Sequence, residues 1–503
     1  MKLKTLTTSI ILATVPMTGA FAAALDRSGQ SIAAFLQPNN YFEAGISVLD
    51  PNVSGKESGS SATRRDIQDM AGDYYFPSAA LKFQPTSKFS FGILYDQPFG
   101  ADAEYTGNNN FVTNPATDNA LNAGQQAAIF AGAQAQAQAA FNALTPQQRV
   151  GAALQAQGVN LTTPAGQAQF AGTLLAYNAP NSAVKTQIDA GVLAGAQAQA
   201  QAGAQGIINQ ADANVRAASG GTQVEVDTNS LSMIFGLSPI KNVTLYAGGV
   251  YQTIEGGVSL RGNAYSIYNG YDAKIKETKG TGWLAGAAYQ IPEIALKASV
   301  TYRSEIDHDA NVTETGFSAL RAIPTATAAI DAIAAAPAEK LTITTPQSVN
   351  LDLQSGIMAD TVAFANIRWV NWKDFSIRPD KFDQVSKLAS PTTKGFNLVD
   401  YTDDQISANV GVGRKVTDKW AGNVSVGWDS GAGNPITTLG PTEGYWNLGL
   451  GVQYSPTPAT FIAGGVKYFW LGDADAKVSS GTVVGDFQDN NAIAYGLKMG
   501  YRF

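Results

Sequence analysis

The chain closes on "IAYGLKMGYRF", residues 493–503. Taken in steps of two from the end, Phe503, Tyr501, Met499, Leu497, Tyr495 and Ile493 are large and apolar or aromatic. The other phase, Arg502, Gly500, Lys498, Gly496 and Ala494, is small or charged. Successive side chains of a strand point to opposite faces, so this strand has one greasy face and one polar face. A soluble sandwich would bury the greasy face in a core. A transmembrane barrel would turn it to lipid and line a lumen with the other.

The pattern recurs. Alternating segments fall near 41–50, 71–84, 88–98, 223–238, 242–256, 281–291, 294–306, 341–355, 361–373, 403–416, 419–429, 443–454, 459–471 and 491–503. The connections "QPTSK", "SPIKN", "IPE", "GIMAD", "VTDK" and "SPTPA" are short and rich in turn residues. Those between them, 51–70, 99–222, 257–280, 307–340, 374–402, 430–442 and 472–490, are long. Fourteen strands with one short-turn end and one long-loop end predict an all-β, antiparallel outer-membrane barrel over residues 41–503. In "DKWAGNVSVGW", Trp420, Val424, Val426 and Trp428 share a phase opposite Asn423 and Ser425, with a Trp near each end, as membrane interfaces favour.

Composition agrees. There is no cysteine, so no disulfide and no thiolate metal site. The net charge of −7 offers no basic footprint for nucleic acid. Glycine is plentiful at 51, and mean hydropathy is near zero although 45% of residues are hydrophobic, so the apolar residues are dispersed by alternation. The start, with Lys2 and Lys4, an apolar stretch from Leu6 to Met17 and Ala20-Phe21-Ala22, has the pattern of a secretory signal peptide over 1–22. Residues 23–40 are left as a short segment before the first strand.

Residues 116–220 differ: "AGAQAQAQA" occurs twice in an Ala/Gln/Gly-rich stretch. Ala and Gln favour helix, and "TPQQ" from Thr145 reads as an N-cap followed by a first-turn proline. Helical hairpins outside the membrane are expected, between strands three and four. The alternative is a low-complexity loop.

Catalysis finds little support. His308 is the single histidine, flanked by Asp307 and Asp309 without a partner motif, and reads as a solvated loop residue. "TDD" (402–404) and "DAD" (473–475) are acidic loop tips that could hold calcium through oxygens but read as solvated. No catalytic residue, metal site or cofactor is therefore assigned. Lys297, Arg303, Arg368 and Lys498 fall in the lumen phase, and a guanidinium suits a carboxylate. Arg303 could instead pair with Glu305 on the same face. Ile32, Phe35 and Leu36 form an apolar cluster that could meet a ligand's tail. Pro98 removes a ladder donor and Gly100 marks a bend, so strand three either breaks there or ends.

These stretches together resemble the FadL family of outer-membrane transporters of long-chain fatty acids and other hydrophobic molecules. "LKASVTYRSEIDHD" resembles the family's seventh strand, and "IPTAT" (323–327) a phrase in its fourth outer loop. "FEAGISVLDPNVSG" resembles the first strand, and "FGILYDQPFGADAEY" the third. The resemblance implies a fourteen-stranded barrel with an N-terminal hatch inside. It also implies passive uptake and sideways release at a kinked third strand, with Gly100 at the kink and Arg303 and Lys297 as ligand contacts. The implied partners are a fatty acid or other hydrophobe, outer-membrane lipid, and the barrel assembly machinery, which would read the terminal Phe503 and Tyr501. The chain departs from the family in three ways: its hatch is shortened to 23–40, the segment 116–220 is inserted, and the third outer loop is short. A general diffusion porin, or an adhesive barrel with a surface module, is the rival reading.

Overall fold

The computed structural model describes residues 25–59, 64–317, 327–337, 339–389 and 394–503. The signal-peptide expectation and most of "IPTAT" lie outside them. Seventeen strand segments form one sheet, and because three strands are interrupted they make fourteen staves. These are β1 (Tyr41–Asn52), β2 (Tyr74–Phe83), β3 (Phe89–Asp96 and Gly100–Glu104), β4 (Gln223–Ile240) and β5 (Val243–Ser259). Next come β6 (Asp272–Ile291), β7 (Leu296–Arg303 and Ile306–Thr315), β8 (Lys340–Thr345 and Ser348–Met358) and β9 (Thr361–Val370). The last are β10 (Gln405–Lys415), β11 (Trp420–Asp429), β12 (Tyr445–Tyr454), β13 (Thr460–Leu471) and β14 (Asn491–Arg502). Each is antiparallel to its neighbour in sequence. β14 closes on β1 from Tyr41 opposite Arg502 to Asn52 opposite Asn491. Closure leaves no edge, the condition for a sheet to stand in lipid.

The opening stretch behaves as its alternation demands. Ile493, Tyr495, Leu497, Met499 and Tyr501 are exposed on the outside, while Ala492 and Ala494 are fully buried. Trp428 faces Trp446 across one strand pair and Trp446 faces Trp470 across the next, a row of indoles near the long-loop end. Trp420 and Tyr454 pack 4.7 Å apart near the other end. Trp420 and Trp428 are eight residues apart, about 27 Å along a strand, or about 20 Å after the usual tilt of such a barrel, close to the height of an apolar membrane band. The chain is a transmembrane barrel of the outer-membrane type.

Several boundaries differ from expectation. β6 begins at Asp272, nine residues before the expected 281, because the hairpin with β5 continues above the membrane band. β7 and β8 likewise continue into the expected loop. β2 begins at Tyr74 rather than 71.

The insertion is helical: α1 (Ala123–Ala143), α2 (Pro146–Ala156), α3 (Pro164–Tyr177) and α4 (Ala183–Ala217). Thr145 caps α2 as read, with the Gln148 amide returning to the Thr145 N–H side at 2.9 Å. Val150, Leu154 and Tyr177 form a small core of their own. The base of α4 joins the barrel's upper core through Ile208, Ala211 and Val215. That core roofs the long-loop end around Trp372, Phe375, Phe382, Tyr265 and Tyr271. Five short strands (Gly55–Glu57, Asp66–Ile67, Ile436–Thr437, Ala474–Lys477 and Val483–Phe487) form a second sheet there. Two further helices, α5 (Thr327–Ala335) and α6 (Asp380–Ala389), belong to the same roof.

Candidate functional site

The lumen is occupied by residues 25–40, held by charge at one end and by apolar packing at the other. Arg368 projects inward from β9 and meets Asp26 with Nε–Oδ2 2.7 Å and Nη2–Oδ1 3.1 Å, both side chains buried. The same guanidinium donates to Asn350 Oδ1 at 2.8 Å and Gln30 Oε1 at 3.1 Å. Arg303, inward from β7, donates to Ser232 Oγ at 3.1 Å and the Gln30 carbonyl at 3.3 Å. Asn350 and Ser348 of β8 bind Gly29 and Gln30. A bidentate carboxylate with further acceptors is the arrangement that lets a guanidinium remain charged away from water.

Ile32, Phe35 and Leu36 pack against Ile234, Tyr246, Leu284 and Ile306 of the inner wall. They were expected as an apolar cluster in a polar lumen, and the wall answers them with a local apolar patch. The pairing of Arg303 with Glu305 does not form, because β7 is interrupted at Ser304 and Glu305 and the phase slips by one residue. Glu305 is exposed, and Ile306 turns inward instead of outward. A one-residue slip sends every later side chain to the other face. His308 is carried inward with it. It is fully buried with Nε2 3.0 Å from Gln252 Oε1, so the solvated reading is corrected. Among the described residues no cluster of metal-ligating side chains occurs, and the two acidic tips form none.

The third strand breaks at Pro98. On the β4 side the break is a bulge sealed by Thr228, whose hydroxyl accepts from the Phe99 N–H at 2.9 Å and donates to the Phe99 carbonyl at 2.7 Å. On the β2 side the ladder runs to Ala79 opposite Tyr95 and resumes at Gly72, whose N–H donates to the Asp102 carbonyl at 3.0 Å. Between those points no backbone pair joins β2 to β3 among the described residues. The unpaired stretch is about seven residue steps, or roughly 23 Å of strand.

Residues 25–27 occupy it. The Gly100 N–H donates to the Leu25 carbonyl at 2.9 Å, the Arg27 N–H to the Pro98 carbonyl at 2.8 Å, and Asp26 bridges antiparallel to Phe99. The Arg27 guanidinium lies over the Tyr74 ring at 3.7 Å and 5.7 Å from the Phe76 ring. A Cβ on Gly100 would come within 2.4 Å of Arg27 Nη1 and 2.7 Å of the Val226 carbonyl, so glycine is what leaves room for the arginine. Pro98 does not simply end the strand, since β3 resumes at Gly100.

Two cavities flank the hatch. Above it a small pocket of about 40 Å³ is lined by Leu25, Ala101, Val226, Ile275, Ile377 and Leu439, among others that are almost all apolar. Below it a vestibule of about 920 Å³ opens at the short-turn end, with Ile32, Phe35, Leu36 and Arg303 on its wall beside Lys82, Lys297, Lys467, Lys498, Glu43 and Asp352. Lys297 therefore faces the vestibule, away from the apolar pocket. Phe503 and Tyr501 stack 5.6 Å apart on the outer rim of the short-turn end, with Phe83 against Phe503 at 6.0 Å. The reading from sequence missed Asp26 and Arg27. Their only sequence signal is a charged pair in a segment that must cross an apolar wall.

No protein-family model matches the chain, and no curated protein does. Among solved structures the fold is similar to that of a FadL homologue of Pseudomonas aeruginosa at a TM-score of 0.55. The two are 13% identical, over 96% of this chain and 94% of that one. A mutant of TodX described as a monoaromatic hydrocarbon channel is similar at a TM-score of 0.50 and 10% identity, over 97% of this chain and 99% of that one. The chain has the fold of these channels.

Proposed function

We propose that the protein is an outer-membrane channel for the passive uptake of hydrophobic small molecules, long-chain fatty acids among them. We further propose that the cargo leaves sideways into the bilayer between β2 and β3. The observation that carries this reading is the placement of the two cavities. The vestibule borders the unpaired stretch through residues 76–79 of β2 and 95–97 of β3, and the apolar pocket adjoins the hatch at Leu25 and β3 at Ala101. A hydrophobe in the vestibule thus has the interruption between β2 and β3 at its side. The resemblance of the first, third and seventh strands to FadL transporters supports the same reading, and so does the similarity to a channel for monoaromatic hydrocarbons. The family's kink position falls on Gly100 here.

The test uses the full-length protein in lipid vesicles. Fluorescent palmitate is offered from the long-loop side, with one quencher confined to the bilayer and another to the vesicle interior. Quenching by the bilayer probe should come first. Earlier quenching by the interior probe would exclude lateral release, and no acceleration over protein-free vesicles would exclude transport. Radiolabelled toluene in parallel separates fatty-acid uptake from a broader hydrophobe preference. Equal passage of a small sugar would favour the diffusion porin.

A further inference from the structure

We infer that the outward face of β6, β7 and β8 above the membrane band docks a glycolipid of the outer leaflet, one whose phosphates and acidic sugars are stacked along the membrane normal. Aromatic rings fix the height of that face. Tyr251, Trp283 and Tyr302 lie in the outward phase of β5, β6 and β7, with Trp283 and Tyr302 5.1 Å apart. Such rings sit at the level of lipid headgroups. The staves continue past them. β6 carries Lys279, Lys276 and Lys274 upward, and Lys340 starts β8 opposite Asn311 of β7. These lysines are exposed, while Ala273 and Ile275 in the other phase are buried. Among the described residues they make no ion pair.

Height decides the partner. Lys279 is four residues from Trp283 and Lys274 nine. Those spacings are about 13 and 30 Å along a strand, or roughly 10 and 20 Å above the ring after the usual tilt. The headgroup layer of a phospholipid leaflet is only about 5–8 Å deep, so its single phosphate meets the lowest lysine at most. A column this tall suits a headgroup that carries its anions outward in series, as a phosphorylated oligosaccharide does. Each ammonium donates to a phosphate or carboxylate oxygen in a charge-assisted bond, and basic clusters beside a bilayer are a common way to hold headgroups. Thr313 opposite Lys274 and Asn311 opposite Lys340 place a hydroxyl and an amide between the charges, partners for sugar hydroxyls. Carboxylates share the face. Glu277, Asp307 and Asp309 are exposed there, with Thr344 donating to Asp307 Oδ1 at 2.7 Å and Thr342 to Asp309 Oδ1 at 3.0 Å. Alone they would repel a phosphate. A magnesium ion joins them to it, since that ion binds one or two carboxylates together with phosphate oxygens. The patch has an edge: at the same height β4 and β5 present Glu225, Asp227 and Glu255 and no lysine.

The test compares the full-length protein in detergent with a variant carrying Lys274→Gln, Lys276→Gln, Lys279→Gln and Lys340→Gln, heat-modifiability showing that both are folded. Each is mixed, with magnesium, with rough lipopolysaccharide (lipid A plus inner-core sugars), lipid A alone or phosphatidylglycerol. Bound lipid is counted by native mass spectrometry. The parent should hold the rough glycolipid roughly ten-fold or more tightly than the variant, and more tightly than it holds the other two lipids. EDTA should release part of it. Arginine at the same positions should keep the binding, which separates lost charge from a disturbed surface. Lys274→Gln with Lys276→Gln, both far above the band, carries the same comparison if the fourfold variant does not fold. Equal binding by the parent and the glutamine variants overturns the site. Phosphatidylglycerol bound as tightly as the rough glycolipid overturns the choice of partner, and lipid A bound as tightly removes the upper lysines from it. Retention unchanged by EDTA removes the cation bridge.

Discussion

Arg368 and Asp26 are 342 residues apart in sequence, and the hatch depends on their meeting. Removing one partner of a buried pair leaves an uncompensated charge and costs about 3–5 kcal/mol. Arg368→Met should therefore free the hatch without unfolding the barrel, whose ladders it does not enter through its side chain. The expected result is protease cleavage within 25–40 in the purified variant where the parent resists, together with a higher ion conductance. Asp26→Asn added to Arg368→Met should recover part of the loss, because the stranded carboxylate is gone. Equal protease resistance of parent and Arg368→Met would remove the lock. Alternation put Arg303 and Arg368 in the lumen correctly, since a period of two needs only local sequence. It could not say what they touch. Their partners, Asp26, Gly29 and Gln30, lie in a segment without periodicity, and no spacing rule connects it to β7 or β9. Arg303, expected at a ligand's carboxylate, donates to Gln30 and Ser232 and also lines the vestibule.

At the scale of elements, the staves were legible and so was the break of β3 at Pro98, but the interruptions of β7 and β8 were not. A bulge such as the one at Ser304 and Glu305 carries no compositional mark, and it reversed the faces of Ile306 and His308. The roof was the least legible part, because its helices are fixed by distant side chains. Glu314, at the end of β7, accepts from the Lys381 N–H at 2.7 Å and the Phe382 N–H at 3.1 Å, and from the Tyr271 hydroxyl at 2.9 Å. It thereby caps α6, and a carboxylate suits a helix N-terminus. The flanks of α6, Ile377, Pro379, Leu398, Val399 and Tyr401, wall the apolar pocket. Glu314→Ala should loosen this lid, costing about 1–3 kcal/mol locally through the unmet N–H groups. Burial holds the Glu314 carboxyl above its ordinary 4.5, outweighing its hydrogen bonds. A carboxyl raised on folding adds stability that is full below the unfolded value and is lost as pH rises through the folded one. Cleavage of the 371–404 loop by an added protease should thus quicken in the parent, relative to Glu314→Gln, as pH rises above the ordinary carboxyl value of 4.5. The Gln variant keeps one acceptor and does not titrate. Parallel pH profiles for the two proteins would show that Glu314 does not govern the lid.

For the whole molecule, the question is which way a hydrophobe leaves. Each buried methylene is worth about 0.8 kcal/mol, so a sixteen-carbon tail is held from water by roughly 10 kcal/mol or more. The downward route leaves the vestibule for water at the short-turn end, past Lys82, Lys297, Lys467, Lys498, Glu43 and Asp352, and at that exit the tail would climb the whole step. A sideways route would lead from the pocket at Leu25 and Ala101 to lipid, with the Arg27 guanidinium as the first polar group beside it. The difference is large enough that the vestibule should be dispensable for a hydrophobe. Ser425 faces it from β11 and is buried within the lumen. In a chain with no other cysteine, Ser425→Cys can be loaded with a polyethylene-glycol maleimide from the short-turn side before reconstitution. A label that fills the vestibule should abolish any leak of ions or small polar solutes and leave the palmitate rate as it was. A palmitate rate that falls in proportion to the labelled fraction would mean that the cargo goes down through the barrel. The interruption between β2 and β3 would then be no more than the seat of the hatch.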